Sequence, residues 1–222
     1  MFFPFYDSTY ILVLIGVIVS MMASAKLNAT YQRYSAVRSM CGLTGAEAAK
    51  RLLNSQGIYD VTIRRVPGSL TDHYDPRSKT VNLSDAVYGS TSIAAIGVAA
   101  HECGHAMQDA ADYSPLRIRA ALVPAANLGS QLAWPLILVG LLLGSGGSGL
   151  AFAGIVLFSL AVLFQLVTLP VEYNASHRAV TLLDSTGILA GQEVGQTRQV
   201  LSAAALTYVA AAAASILQLF RL

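Results

Sequence analysis

Two histidines four residues apart enclose a glutamate in the segment AAIGVAAHECGHAMQDAAD, residues 94–112. On a helix, residues i and i+4 lie on one face, so His101 and His105 can present two imidazoles to one ion. Glu102, next to them, can reach a water molecule at that ion. This H-E-x-x-H spacing is typical of zinc peptidases, in which the ion activates water and the glutamate is the general base for attack on a peptide carbonyl. The motif therefore predicts one catalytic Zn²⁺.

The surroundings of the motif favour a metal site over a chance pattern on a solvated helix. The chain contains four histidines, and two of them occupy the motif. Small or apolar residues surround them, at Ala94, Ala95, Gly97, Ala99, Ala100, Gly104 and Ala106. They predict a buried helix, and burial of two imidazoles and a carboxylate is unfavourable without a partner. A bound metal ion would supply that partner.

A third ligand must come from elsewhere in the chain, because the segment after the motif, AMQDAADYSPLR, has no histidine. Glu172, in LPVEYNASHRAV, is the acidic candidate. Pro170 favours a helix start, which would place Glu172 in the first turn of a new helix. Most of the chain between His105 and Glu172 is apolar, so a membrane hairpin would return the glutamate to the histidines. A helix-borne glutamate downstream of the motif is the gluzincin pattern.

The composition indicates an integral membrane protein. Hydrophobic residues make up 55% of the chain and charged residues 12%, whereas a soluble domain carries about 25% charged residues. The net charge of +2 is too small and too dispersed for a nucleic-acid partner. Cys41 and Cys103 lack paired spacing, which excludes a disulfide framework and a cysteine-type zinc site. We expect membrane lipid and a polypeptide substrate as partners.

Four apolar segments predict transmembrane helices, at residues 8–25, 120–143, 150–169 and 200–220. The first is shorter than the ~20 residues that span a bilayer, but the aromatic residues before it extend it. It lacks the basic residues that begin a signal peptide, which favours an uncleaved anchor. The sequence GSGGSG joins the second and third segments in a tight hairpin.

Basic residues predict the side of the membrane on which the polar parts of the chain lie. They flank the apolar segments within residues 26–119 and 170–199, at Lys26, Arg33, Arg117, Arg119, Arg178 and Arg198. By the positive-inside rule both polar pieces face the cytoplasm, and both termini lie outside. We expect the two pieces to form one domain, to which residues 170–199 contribute the third metal ligand.

The larger polar piece contains signals for both helices and strands. Thr44 and Glu47 form a capping-box pattern, and Gly57 is a helix stop signal. VTIRRV alternates like a strand, and SLTDHYDPRSKTVNLS is typical of a hairpin with its turn at residues 75–78. A helix over residues 90–110 carries the motif. The predicted fold class is mainly α: a polytopic membrane protein with about four transmembrane helices and a small α+β, zincin-like metallopeptidase domain.

Several segments together resemble one known family. HYDP, SIAAIGVAAHECGHAMQ, LPVEYNAS and AALTYVAAA are similar to the YugP-like neutral zinc metallopeptidases of bacterial membranes, and the resemblance covers nearly the whole chain. It implies a zinc-dependent peptidase of the bacterial inner (cell) membrane. A site facing the cytoplasm suggests unfolded polypeptides or exposed segments of membrane proteins as substrates.

The chain is also similar, more distantly, to membrane gluzincins of the HtpX and CAAX prenyl protease type. In those enzymes E-x-x-A-D follows a transmembrane hairpin, and its aspartate supports a metal histidine. This chain has Ser176 at that position. A serine hydroxyl can still accept a hydrogen bond, so Ser176 is a candidate support for a ligand histidine.

Four further side chains are candidates for supporting roles. Asp109 follows the second motif histidine by one helical turn and could orient it from behind. His177 is either an oxyanion stabiliser or a surface histidine. If residues 80–84 form the sheet edge that lines a cleft, the hairpin partner could bring His73 or Tyr74 near the metal. The alternative is that this tyrosine-rich hairpin packs on the motif helix.

Two other functions compete with a cytoplasmic peptidase. A site-2-type intramembrane protease also uses H-E-x-x-H, and Asp184 in LLDSTG would then be the third ligand. However, the apolar run before the motif, residues 93–100, is too short to bury the site in lipid. The second alternative is a non-catalytic membrane scaffold with a structural zinc ion, which would need four closed protein ligands.

Overall fold

The computed structural model describes residues 9–222, so the start of the predicted first span, Ser8, lies outside the described residues. The helices are α1 Tyr10–Ser35, α2 Gly45–Ser55, α3 Asp85–Tyr88, α4 Ile93–Ala110, α5 Ser114–Leu142, α6 Ser148–Ser185 and α7 Gln192–Arg221, with a 3₁₀ turn at Gly144–Gly147. The strands are β1 Thr62–Val66, β2 His73–Asp75 and β3 Thr80–Ser84. The predicted fold class, mainly α with a small α+β part, is confirmed.

Within residues 9–222, four helical segments are long and apolar enough to cross a membrane. They are Tyr10–Ser35, Ser114–Leu142, Gly144–Ser185 and Gln192–Arg221. The chain folds into two compact units, and the first contains the residues up to Ser24, Arg117–Pro170 and Thr207–Leu222. Many large apolar side chains of this unit are exposed, as expected for helices that lipid surrounds.

Glycines allow α5 and α6 to pack closely within the first unit. A Cβ at Gly129 would lie 2.4 Å from the carbonyl oxygen of Leu157, and one at Gly154 would lie 2.7 Å from that of Ala133. Membrane helices commonly associate through small residues that allow close backbone packing. In lipid there is no hydrophobic driving force between apolar helices, so this packing is what holds them together.

The second unit, Ala25–Leu116 and Val171–Leu206, contains the sheet and the motif helix. Its helix α2 begins with the predicted capping box, in which the Thr44 hydroxyl accepts from the Glu47 backbone and the Glu47 carboxylate accepts from the Thr44 backbone. Gly57, just beyond the helix end, has φ +71°, a conformation that favours glycine. Both predicted ends of this helix are therefore confirmed.

The sheet has the order β1–β3–β2, so β3 is its central strand. β1 pairs with β3 in parallel, with Thr62 opposite Thr80, and β2 pairs with it antiparallel, with His73 opposite Asn82. The hypothesis that residues 80–84 form a sheet edge is therefore wrong. The parallel strand β1 covers the side of β3 that a hairpin alone would leave open, and four of the five β3 residues are buried.

Helix α6 continues through Pro170 instead of beginning there. Its 38 residues extend over about 57 Å, nearly twice the ~30 Å thickness of a bilayer hydrocarbon core. The expectation of a helix start at Pro170 is therefore wrong. Proline lacks one backbone donor, but membrane helices tolerate this loss where the surroundings satisfy the freed carbonyl. Glu172 accordingly lies in the middle of a long helix.

Candidate metal centre

Helix α4 holds the motif in the buried part of the second unit. The Ser92 hydroxyl accepts a hydrogen bond from the Ala95 backbone at 3.2 Å and so caps the helix start. Fourteen residues of the helix are buried, among them Glu102 and His105, while His101 is partly exposed. The helix thus fixes both imidazoles on a rigid element and leaves one of them accessible to solvent.

A glycine brings α4 against α6. A Cβ at Gly104 would lie only 2.4 Å from the carbonyl oxygen of Ala175, so any larger residue would force the two backbones apart. Gly104 immediately precedes His105, and Ala175 lies three residues after Glu172. This close approach is therefore what sets the separation between the motif histidines and the acidic residue of α6.

Three potential metal donors converge where the two helices meet. Glu172 Oε2 lies 3.1 Å from His101 Nε2 and 3.6 Å from His105 Nε2, and one donor atom from each residue lies within 4.8 Å of the others. Two donors bound to one tetrahedral zinc ion at ~2.0–2.2 Å are about 3.3–3.6 Å apart. The two distances to Glu172 are close to this spacing, and the donor set suits Zn²⁺. Among the described residues, this is the one group of three or more such side chains that could hold a metal ion.

The charges of the site favour a cation. The side chain of Glu172 is only 3% exposed, and such a carboxylate is unfavourable without a positive partner. Burial alone lowers the pKa of His105, but its contact with Glu172 and the nearby charge of Glu102 outweigh burial and raise that pKa above its ordinary value. The site around His105 and Glu172 therefore stabilises positive charge, which is the property that a zinc site requires.

Each histidine has a hydrogen-bond partner at its other ring nitrogen. Ser176 Oγ lies 3.1 Å from His101 Nδ1, and Gln108 Oε1 lies 3.0 Å from His105 Nδ1. When Nε2 binds a metal, Nδ1 carries the proton and donates it to such an oxygen, which fixes the tautomer and the ring orientation. Ser176 thus contacts a candidate ligand histidine from behind.

Sequence reasoning missed Gln108, since an amide three residues after a histidine belongs to no known motif. Its side chain is fully buried, and its Nε2 donates to Val171 O at 2.8 Å and to Asn174 Oδ1 at 3.0 Å. One amide therefore joins His105 to the helix that carries Glu172. The one available signal was a polar residue on the buried face of an otherwise apolar helix.

The Gln108→Leu substitution is expected to weaken zinc binding by about 10- to 100-fold, the usual effect of removing a partner of a ligand histidine. Leucine fills much of the space but leaves His105 Nδ1 without its acceptor. Competition with a zinc-binding dye measures the change. The matched control is Gln192→Leu at an exposed position of α7. Unchanged affinity in Gln108→Leu would show that packing alone orients His105.

Asp109 does not have the predicted role of orienting a motif histidine. Its Oδ2 accepts hydrogen bonds from Tyr74 Oη at 2.8 Å and Lys79 Nζ at 2.7 Å, while His105 bonds to Gln108 instead. Asp109 follows Gln108 by one residue on α4, so its side chain lies on the face of the helix that packs against the sheet. Tyr74 thus packs on the motif helix, and burial together with Asp109 raises its pKa, so its phenol stays protonated.

The remaining candidates lie in different surroundings. His73 is exposed, and its ring nitrogens contact Thr71 O at 2.8 Å and Asn82 Nδ2 at 3.2 Å. His177 is also exposed and lines a cavity between α6 and α7. Asp184 is exposed near the end of α6, outside the group of three donors. The structure therefore groups Glu172, and not Asp184, with the two motif histidines.

The apolar helices and the three-donor site together define a membrane protein with a candidate zinc centre. Residues 9–222 match the sequence profile of a family described as "Putative neutral zinc metallopeptidase". The chain is also 48% identical over 203 residues to the "Putative membrane protease YugP" of Bacillus subtilis (strain 168), an alignment that covers 91% of this chain and 89% of that protein.

The chain therefore belongs to this neutral zinc metallopeptidase family, as its segments predicted. Membership in a zinc peptidase family implies zinc as the metal, and the donor set of the structure is one that zinc prefers. No solved structure was found that matches the chain.

Proposed function

We propose that the protein is a zinc-dependent membrane endopeptidase. The observation that carries this proposal is the convergence of His101, His105 and Glu172, of which His101 is partly exposed, with Glu102 next to His101 on the same helix. Three protein ligands leave one coordination position open, as in catalytic zinc sites, whereas structural sites have four closed ligands. This difference favours an enzyme over a scaffold with a structural metal.

The chain's own side chains have separate tasks in this proposal. His101, His105 and Glu172 hold the ion, which when bound supplies a positive charge that polarises a peptide carbonyl and acidifies water. Glu102 accepts a proton from the attacking water and delivers it to the leaving nitrogen, as general base and then general acid. Ser176 keeps the His101 ring in position through the 3.1 Å contact at its Nδ1.

We place the site on the cytoplasmic side, with both termini outside. The support is the distribution of basic residues around the four apolar helices. Substrates at that location would be unfolded polypeptides or exposed segments of membrane proteins. The bacterial cell membrane is the matching compartment, given the relative from Bacillus subtilis.

Removal of the metal tests the proposal. Purified protein in lipid nanodiscs is expected to cleave an unfolded polypeptide, to lose that activity after chelation, and to regain it when Zn²⁺ is added back at one equivalent. Fragment analysis by mass spectrometry measures cleavage, and elemental analysis measures bound zinc. Internal cleavage that persists with no zinc bound would reject the proposal.

A further inference from the structure

A cavity of about 340 Å³ lies between α6 and α7 within the second unit. Three buried apolar residues, Val180, Leu201 and Ala205, form part of its wall. Polar side chains complete the lining, among them Tyr173, Ser176, His177, Thr181, Arg198 and Ser202. The cavity thus has an apolar wall and several groups that can donate hydrogen bonds.

The cavity lining has basic side chains and no acidic ones. Its lining contains Arg198 and His177 and no aspartate or glutamate. Within residues 9–222, no carboxylate forms an ion pair with Arg198. A guanidinium that faces a polar cavity without a carboxylate partner is suited to a carboxylate ligand, which it can bind through two parallel hydrogen bonds.

The cavity adjoins the candidate metal centre through Ser176. This residue lines the cavity, and its hydroxyl contacts His101 Nδ1 at 3.1 Å. Tyr173, also in the lining, directly follows Glu172 on α6. Because Nδ1 faces away from the metal-facing Nε2, the cavity lies behind the His101 ring. A peptide bound at the metal that extends past His101 towards Ser176 could place a neighbouring group of its own in this cavity.

We propose that the cavity binds a carboxylate of the polypeptide substrate, with Arg198 as its ionic partner and the hydroxyls of Tyr173, Thr181 and Ser202 as additional donors. The inference rests on the proposed peptidase function and adds a preference for acidic groups to it. The carboxylate has two possible sources: the C-terminus of the peptide and an aspartate or glutamate side chain. Both present the same planar anion to the guanidinium.

Binding, measured apart from cleavage, tests the proposal. The zinc-loaded Glu102→Gln protein in nanodiscs is titrated with short peptides that carry an uncharged fluorophore at the N-terminus, and anisotropy gives their affinities. One pair of peptides lacks acidic residues and ends in a carboxylate or in an amide. The other pair is amidated and differs only by glutamate or glutamine at one internal position.

At least one pair is expected to show a preference for the carboxylate, and the pair that does so identifies its source. Arg198→Gln in the same background should weaken binding of that peptide by about three- to tenfold, since the pair is charge-assisted but Arg198 is exposed to solvent. It should leave the neutral peptide unaffected. Arg198→Lys, which keeps the charge, should retain part of the preference.

Arg64→Gln is the matched control, because it removes an equal charge from an exposed position of β1. The proposal is overturned if the two members of each pair bind equally, if no peptide binds, or if Arg198→Gln and Arg64→Gln have equal effects. These results are distinguishable from failure of the proposed function. If one of them occurs while the wild-type protein still cleaves the neutral amidated peptide in a zinc-dependent way, the peptidase function is retained and only the carboxylate site is rejected.

Discussion

Replacement of Glu102 by glutamine is expected to slow peptide hydrolysis strongly while the protein still binds zinc. Glutamine has nearly the same shape but cannot accept the proton of the attacking water at neutral pH. General bases contribute about 10²- to 10⁴-fold to such reactions, so the rate should fall by about 10³-fold. Glu102 is not one of the three converging donors, and zinc content should therefore remain close to one equivalent.

Two measurements on the same preparation check this expectation: the initial rate of cleavage and the zinc content by elemental analysis. Glu47→Gln is the control, since it neutralises an exposed carboxylate whose capping hydrogen bonds glutamine can still form. Full activity in Glu102→Gln would rule out its role as the base. Loss of both activity and zinc would instead make Glu102 a part of the metal site.

Replacement of Glu172 by alanine is expected to lower zinc affinity by more than about 100-fold. Removal of a partner of a ligand costs about 10- to 100-fold, and loss of a ligand should cost more. Glu172 Oε2 is the oxygen that approaches both motif histidines, at 3.1 and 3.6 Å. Its side chain is nearly inaccessible to solvent, so water can replace it only poorly.

Asp184→Ala is the matched control, and it also separates the two types of membrane protease. Asp184 is exposed, and its loss should leave zinc affinity unchanged. A competing chelator measures the affinity, while circular dichroism confirms that each variant is folded. Glu172→Gln, which preserves volume, guards against a packing effect. Zinc loss confined to Asp184→Ala would reject our assignment and favour the site-2-type arrangement.

The sequence was sufficient to predict that the three candidate donors lie close together, because their placement follows from simple rules. The i, i+4 spacing of His101 and His105 on a helix places them on one face whatever the rest of the fold does. Glu172 was predictable because an apolar hairpin separates it from the motif, and a hairpin must return the chain to the side from which it left. The caps at Thr44 and Gly57 were also purely local features.

The features that escaped prediction depend on interactions between distant parts of the chain. Gln108 supports His105 only because α6 supplies a carbonyl and an amide for its other end. Asp109 was the more conventional candidate, but its position on the helix faces Tyr74 and Lys79. Likewise, β3 is central because β1 pairs with it in parallel, and no local pattern shows which strands become neighbours.

The separation of the ligands along the chain has a consequence for biosynthesis. The ribosome adds His101 and His105 well before Glu172, because all of α5 lies between His105 and Glu172 in the sequence. A nascent chain in which α6 has not yet been synthesised therefore contains two of the three candidate donors. It lacks the carboxylate of Glu172, which favours a cation. The complete centre exists only after the hairpin has been synthesised and α6 has docked at Gly104. Under the proposed function, an unfinished chain would therefore have no peptidase activity.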